Sequence, residues 1–294
     1  MTQVGRITEI CRYPIKSMAG ETLESADLTS AGICGDRALA MLDAETGKVA
    51  SAKNVRDFPD LMACHAAFET PPIPGQPLPN VEITLANGQA LDSKAADADQ
   101  SLSDFFGREV RLIGDAPDDF MVDQYHPDLP DLNPAGNRDI VVPQPLGASL
   151  FRALGQQAPL GPESLQDLFP LSVMTTSTVN ALLDRAPSMD FSTARFRMNV
   201  IVETTDAGPV ENGWCGQAGA LGETIIHFAM PDPRCVMVTR PTGGLSEDTG
   251  VLRSITAANR LEIPGIGAYP CAGVYAVIAQ GGPIRLGDTL ALQG

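Results

Sequence analysis

No run of apolar residues in this chain is long enough to cross a bilayer, and the opening Met1-Thr2-Gln3-Val4-Gly5-Arg6 lacks the apolar core of a signal peptide. A cytoplasmic protein without membrane association is expected. Positive charge is scarce: 20 Lys and Arg stand against 36 Asp and Glu, for a net charge of −16. A field of that sign opposes phosphate backbones and anionic lipid, which disfavours nucleic acid and membrane surfaces as partners. An anionic ligand would have to meet a few local cations, and Arg37, Arg197 and Arg234 stand out for that role. Histidine is scarcer still, at positions 65, 126 and 227 only, so imidazole chemistry has few candidates. The six cysteines, at 11, 34, 64, 215, 235 and 271, include no Cys-x-x-Cys pair, and isolated free thiols are expected. No G-x-G-x-x-G and no Walker loop occurs, which removes the common nucleotide fingerprints.

What is present is enough apolar material, 44% of 294 residues, for one large core or two of ordinary size. Short apolar or alternating runs over 4–10, 23–28 and 38–42 read as strands separated by turn formers. Residues 81–85 alternate and then meet Asn87-Gly88, a hairpin signal. A helix is expected over 95–106 with Ser93 as N-cap and Gly107 as stop, followed by a strand over 110–113. The proline-rich stretch 70–79 reads as a surface loop, and 116–161 as a long connection with little periodicity. Beyond it, strands are expected over 169–174, 199–203, 224–228, 235–239 and 273–278. A helix should run from Thr175-Thr176-Ser177-Thr178 to about Arg185, and a closing run covers 284–290. Strands outnumber helices without steady βαβ alternation, so the fold class is mainly β with some helices, an α+β protein built from β-barrels.

Three polar clusters exceed what this pattern needs. Arg234-Cys235 heads an apolar run; a guanidinium beside a thiol favours the thiolate, the form that serves as nucleophile and soft metal ligand. Read alone, Cys235 is more simply a small buried hydrophobe at the start of a strand. Tyr13-Pro14-Ile15-Lys16-Ser17 follows the first strand, and Gly32-Ile33-Cys34-Gly35-Asp36-Arg37 precedes the third. The hydroxyls of Thr175 and Thr178 lie at a helix start suited to an anion.

With Phe196-Arg197-Met198-Asn199, Trp214, Thr239, Thr242-Gly243, Tyr275 and Gly287-Asp288 following in order, these clusters resemble the MOSC proteins, named after the C-terminal domain of molybdenum cofactor sulfurase. The resemblance spans nearly the whole chain and is nearest to the amidoxime-reducing component and the YcbX type. It implies a MOSC N-terminal β-barrel domain over 1–118, a connecting segment over 119–161 and a MOSC β-barrel domain over 162–294. It also implies a molybdenum cofactor between the domains, with Cys235 as metal ligand and catalytic centre. Lys16, Ser17, Arg37, Arg197, Arg234 and Tyr275 match cofactor-site positions, to which Thr175 and Thr178 are added. The resemblance also leaves room for pyridoxal phosphate as a bound group.

The implied activity is reduction of N-hydroxylated compounds such as amidoximes, hydroxylamines or N-hydroxylated bases. Chains of the YcbX type carry a ferredoxin-like domain that the residues up to Gly294 do not contain, so an external donor of ferredoxin, cytochrome or flavin reductase type is expected. A sulfur carrier using a Cys235 persulfide and a non-catalytic cofactor-binding protein are the competing readings. Two departures stand out. Asp232-Pro233 occupies the place where amidoxime-reducing members often have a first cysteine, and Arg240 replaces an expected acidic residue.

Overall fold

The computed structural model describes residues 1–128, 136–265 and 267–293. Seven strands close into a barrel: β1 (Thr2–Arg12), β2 (Leu171–Thr175), β3 (Val200–Glu203), β4 (Ala218–Leu221), β5 (Thr224–Pro233), β6 (Gly267–Gln280) and β7 (Thr289–Leu292). The order around it is β2-β3-β1-β7-β4-β5-β6, with β6 pairing back to β2. Only β2 and β3 run parallel; every other neighbour is antiparallel. The strand from the chain's beginning thus completes a barrel whose other six strands come from its second half. Closure leaves no strand edge unpaired around the ring.

Side-chain alternation explains why both faces of this barrel are buried. Leu171, Val173, Val200, Val202, Val274 and Ala276 point into one core with Ile7, Ile10, Trp214, Phe228 and Leu290. Their neighbours Met174 and Ile201 point outward into a second core, under helices introduced below.

The first unit packs its own core from Ile15, Met18, Met41, Phe58, Leu61, Val81, Ile83 and Leu102. Residues Ala40–Asp43 pair with Val110–Ile113, and His65–Phe68, Val81–Thr84 and Ala90–Asp92 form a three-stranded sheet around the Asn87-Gly88 turn. Helix α1 (Ala98–Phe106) buries Leu102 and ends at Gly107, whose φ of 65° is the left-handed stop that glycine permits.

Several expectations are corrected. Ser93 is not the cap of α1: the helix begins after Asp97, and Ser93 Oγ instead accepts the Val81 amide at 2.9 Å. The run 23–28 is two strands, Glu21–Leu23 and Ser25–Thr29, which pair with different partners. Within 116–161, strands Met121–His126 and Ile140–Pro145 form an antiparallel pair, and α2 (Gly147–Ala153) follows, buried through Phe151. Alternating polar residues hid this hairpin because only one of its strands turns apolar side chains to a core. Beyond α3 (Thr176–Arg185) and α4 (Gly250–Ala258), which cover the second core, the run 236–239 is a 3₁₀ turn, Val236–Thr239, rather than a strand. Val236 and Val238 are buried whatever their backbone geometry, so composition could not tell the two apart.

The first unit touches the barrel closely at Gly32, whose φ is +105° and whose missing Cβ would meet Pro170 O at 2.2 Å. No helix among the described residues is long and apolar enough to cross a membrane.

Candidate functional site

β1 ends at Arg12, and the next residues leave the barrel for the first unit. Tyr13, Lys16 and Ser17 are therefore placed at the seam between the two cores, opposite the Phe196–Asn199 segment that leads into β3. Three residues at this seam adopt the left-handed region without being glycine: Ser17 (φ 70°), Arg37 (φ 48°) and Arg197 (φ 55°). The other such residue among those described, Asp139, lies elsewhere. Backbone of this kind costs about 1–3 kcal/mol per residue and persists where surrounding contacts enforce it. Here the Arg37 amide donates to Tyr13 O at 2.7 Å, and Ser17 Oγ accepts the Ala52 amide at 3.2 Å.

The seam encloses a cleft of about 100 Å³ lined by Lys16, Ser17, Arg37, Ser51, Asp167, Phe169, Arg197, Asn199, Asp232, Arg234, Met237 and Tyr275, among others. Its charges are paired but not balanced. Asp36 holds Arg37, Asp167 bridges Lys16 and Lys53, and Asp232 holds Arg234. Five buried or nearly buried cations thus share three carboxylates, and Arg197 is the unmatched one. Its Nη1 donates to Met18 O at 2.6 Å, and its guanidinium lies 4.3 Å from the Tyr13 ring centre, with that of Arg37 at 4.6 Å from the same ring. Burial first, with the repulsion of Arg37, lowers the Arg197 pKa to about 10. Burial likewise lowers Lys16 to about 8, even though Asp167 opposes the shift. Asp167 goes the other way: burial alone would raise it, but Lys16 and Lys53 together hold it well below the usual carboxylate range. A positive pocket in a protein of net charge −16 is an arrangement suited to an anion.

Asn199 ties this pocket to the barrel. Its Oδ1 accepts the Ser172 amide and hydroxyl at 3.2 and 3.0 Å, while its Nδ2 donates to Asp36 Oδ2 at 3.0 Å. Asp36 Oδ1 in turn accepts the Tyr13 amide at 2.8 Å. The carboxylate that orients Arg37 is therefore fixed from both units. On the far wall, the Tyr275 ring stacks on Phe169 at 5.3 Å.

β5 delivers Asp232 to the cleft and ends at Pro233; Arg234 follows it, then Cys235, which is half-buried and extended (φ −114°, ψ −173°) at the head of the 3₁₀ turn. Arg234 is anchored by its amide, which donates to Pro270 O at 2.7 Å, and by its Nη2, which donates to Phe196 O. The Cys235 thiol is not itself a wall of the cleft, but it is within electrostatic reach of both Arg234 and Lys53. Two buried atoms at this end have no hydrogen-bond partner, Asp232 Oδ1 and Arg234 Nε.

The structure thus brings Lys16, Ser17, Arg37, Arg197, Arg234 and Tyr275 to one cleft, with Cys235 beside it. It does not bring Thr175 and Thr178 there. Thr175 caps α3, and both hydroxyls donate at 2.6 Å to the fully buried carboxylate of Glu211. The anion at this helix start is an internal side chain, and sequence spacing could not reveal a partner more than thirty positions away. Lys53 and Asp167 were missed for a related reason: each sits in a segment without periodicity, and only their meeting makes them a site. Arg240 pairs with Glu247 at 2.7 Å outside the cleft lining, which accounts for a cation at that position.

Comparison with known proteins agrees with this architecture. A model of the MOSC N-terminal beta barrel domain matches residues 4–119, and a model of the MOSC domain matches 162–291. The chain belongs to the MOSC-domain family. A search of curated proteins gave no match. Among solved structures, YiiM from Geobacillus stearothermophilus is similar at 15% identity over 43% of this chain, with TM-score 0.30, and the alignment spans 55% of the YiiM chain. YiiM from Escherichia coli is similar at 14% identity, over 43% of this chain and 55% of that one, with TM-score 0.30. The YUAD protein from Bacillus subtilis is similar at 9% identity, over 98% of this chain and 94% of that one, with TM-score 0.40.

Proposed function

We propose that the cleft holds a molybdenum cofactor and that the protein reduces N-hydroxylated compounds, with electrons from an external donor. The observation that carries this reading is the surplus of buried cations beside the Cys235 thiol. A phosphate-bearing group would meet Arg37 and Arg197, which come from different units and share Tyr13. A heterocycle carrying its own acceptors would also satisfy Arg234 Nε, which is left without a partner. Cys235, beside Arg234 and Lys53, offers the soft sulfur ligand that molybdenum accepts. When bound, the group would supply two-electron chemistry at the metal. The chain's own part is to bind, orient and exclude water. Asp36 and Asn199 hold Arg37, Asp167 holds the two lysines, and Phe169 with Tyr275 forms an aromatic wall.

The test is purification from a host that makes the cofactor, followed by elemental analysis and turnover. Roughly one molybdenum per chain is expected, together with reduction of a simple amidoxime by an artificial low-potential donor. NADH alone should fail, because the sequence carries no dinucleotide fingerprint. A loaded protein inert to N-oxygenated substrates, with cyanide-labile sulfur on Cys235, would point to the sulfur carrier. Bound molybdenum with neither property would point to a binding protein without turnover.

A further inference from the structure

Asp232 is an unusual carboxylate. It is 1% exposed and it lines the cleft. One oxygen, Oδ2, is ion-paired to Arg234; the other, Oδ1, is buried with no hydrogen-bond partner. Its neighbours in sequence cannot supply one, since Pro231 and Pro233 have no backbone N–H. The Tyr275 hydroxyl faces this carboxyl and favours its ionised form without closing a hydrogen bond to Oδ1. An anionic oxygen kept dry and without a donor is costly, and a proton on it removes the cost.

The charged and titratable groups facing Asp232 are Arg234 just past the end of its own strand, Tyr275 and Cys271 on β6, Asp167 before β2, and Lys53 from the first unit. Burial outweighs the attraction of Arg234 and the help of Tyr275, and Asp167 adds to it. The carboxyl is raised from 3.8 to about 6. A group poised near neutrality is suited to giving up and regaining a proton during turnover.

We propose that Asp232 is the proton donor of the reaction, delivering from Oδ1 the proton that leaves with the hydroxyl oxygen of an N-hydroxylated substrate. The inference rests on the reductase reading above. In the balanced step the N–O bond takes up two electrons from the external donor and breaks. The departing oxygen leaves as water, taking one proton from Asp232, and the nitrogen gains the second from solvent. Asp232 is then reprotonated from solvent.

The test compares the metal-loaded parent with Asp232→Asn, which keeps an oxygen for Arg234 but has no titrating proton, and with Asp232→Glu, which keeps the carboxyl. Infrared difference spectra from about pH 5 to 8 should show a protonated carboxyl band in the parent that titrates near 6 and is lost in Asp232→Asn. With molybdenum content unchanged, Asp232→Asn should reduce an aryl amidoxime about a hundredfold or more slowly, and without the decline that the parent shows as pH rises past its carboxyl pKa. Asp232→Glu should recover part of both signals. Absence of that band in the parent, or loaded Asp232→Asn with the parent's rate and pH profile, overturns the assignment while leaving the reductase reading intact. A loaded parent that reduces no N-hydroxylated compound overturns both together.

Discussion

At the scale of single residues, the cleft separates groups that hold a ligand from groups that hold each other. Cys235 is half-buried within electrostatic reach of Arg234 and Lys53, and its removal leaves the packing of the 3₁₀ turn to Val236 and Val238. Cys235→Ala should therefore lose nearly all molybdenum at retained fold, whereas Ala at Cys11 or Cys34 should not; elemental analysis of the purified variants decides this. Arg37 and Arg197 present the same charge on one aromatic ring. Replacing either with Met should weaken cofactor retention roughly ten- to a hundredfold, the worth of one charge-assisted contact of about 1.5–3 kcal/mol. Unchanged occupancy in competition with a cofactor acceptor would make both ordinary structural cations.

Asp232 also predicts a pH effect on stability. Its folded pKa is raised from 3.8 to about 6, so in that interval the folded chain keeps a proton that the unfolded chain releases. The stabilisation from this group is complete below the lower value and is lost as pH rises through the upper one. In urea titrations, the parent should lose stability relative to Asp232→Asn between about pH 4 and pH 6.5, by an amount of order 1–3 kcal/mol. A parent-to-variant difference that does not change with pH would contradict the shift. Asp167, held well below the usual range by Lys16 and Lys53, acts only at lower pH and does not disturb this window.

At the scale of elements, the start of α3 is self-contained. Thr175 and Thr178 satisfy Glu211, whose burial raises its pKa against the two hydroxyl donors. Thr175→Val removes the helix cap and leaves the carboxylate short of a donor, with an expected cost of about 2–4 kcal/mol from the two effects together. Chemical denaturation should register that loss, while molybdenum per folded chain stays at the parent level. A variant of parental stability with reduced molybdenum would instead make Thr175 a cofactor contact.

At the scale of the whole molecule, the central fact is that β1 closes the barrel between β3 and β7. A chain restricted to 162–294 would expose both edges of that gap and the apolar face that Ile7 and Ile10 cover. Such a fragment should lack the near-UV circular dichroism and cooperative unfolding of the full chain. Native-like spectra and a sharp transition from it would show that β1 is dispensable. The same arrangement explains how Tyr13, only a few residues beyond β1, comes to lie against Met198, its hydroxyl 3.4 Å from the Met198 carbonyl.

Sequence by itself determined what depends on local pattern. The strand runs over 81–85 and 110–113, the turn at Asn87-Gly88 and the stop at Gly107 follow from alternation and backbone freedom within a few residues. Lys16, Ser17 and Arg37 stand out in sequence as polar residues that the strand pattern does not need, whereas Arg197 and Arg234 join them only through the family resemblance; the fold decides that all five line one cleft. Tertiary structure decided what depends on distant partners. Residues 235–239 turn instead of extending, 121–145 holds a hairpin, and the hydroxyls at 175 and 178 serve Glu211. Lys53, Asp167 and the unpartnered oxygen of Asp232 belong to the same class. Burial and charge at each of these positions are set by side chains far away in sequence, and folding alone brings them within hydrogen-bond reach.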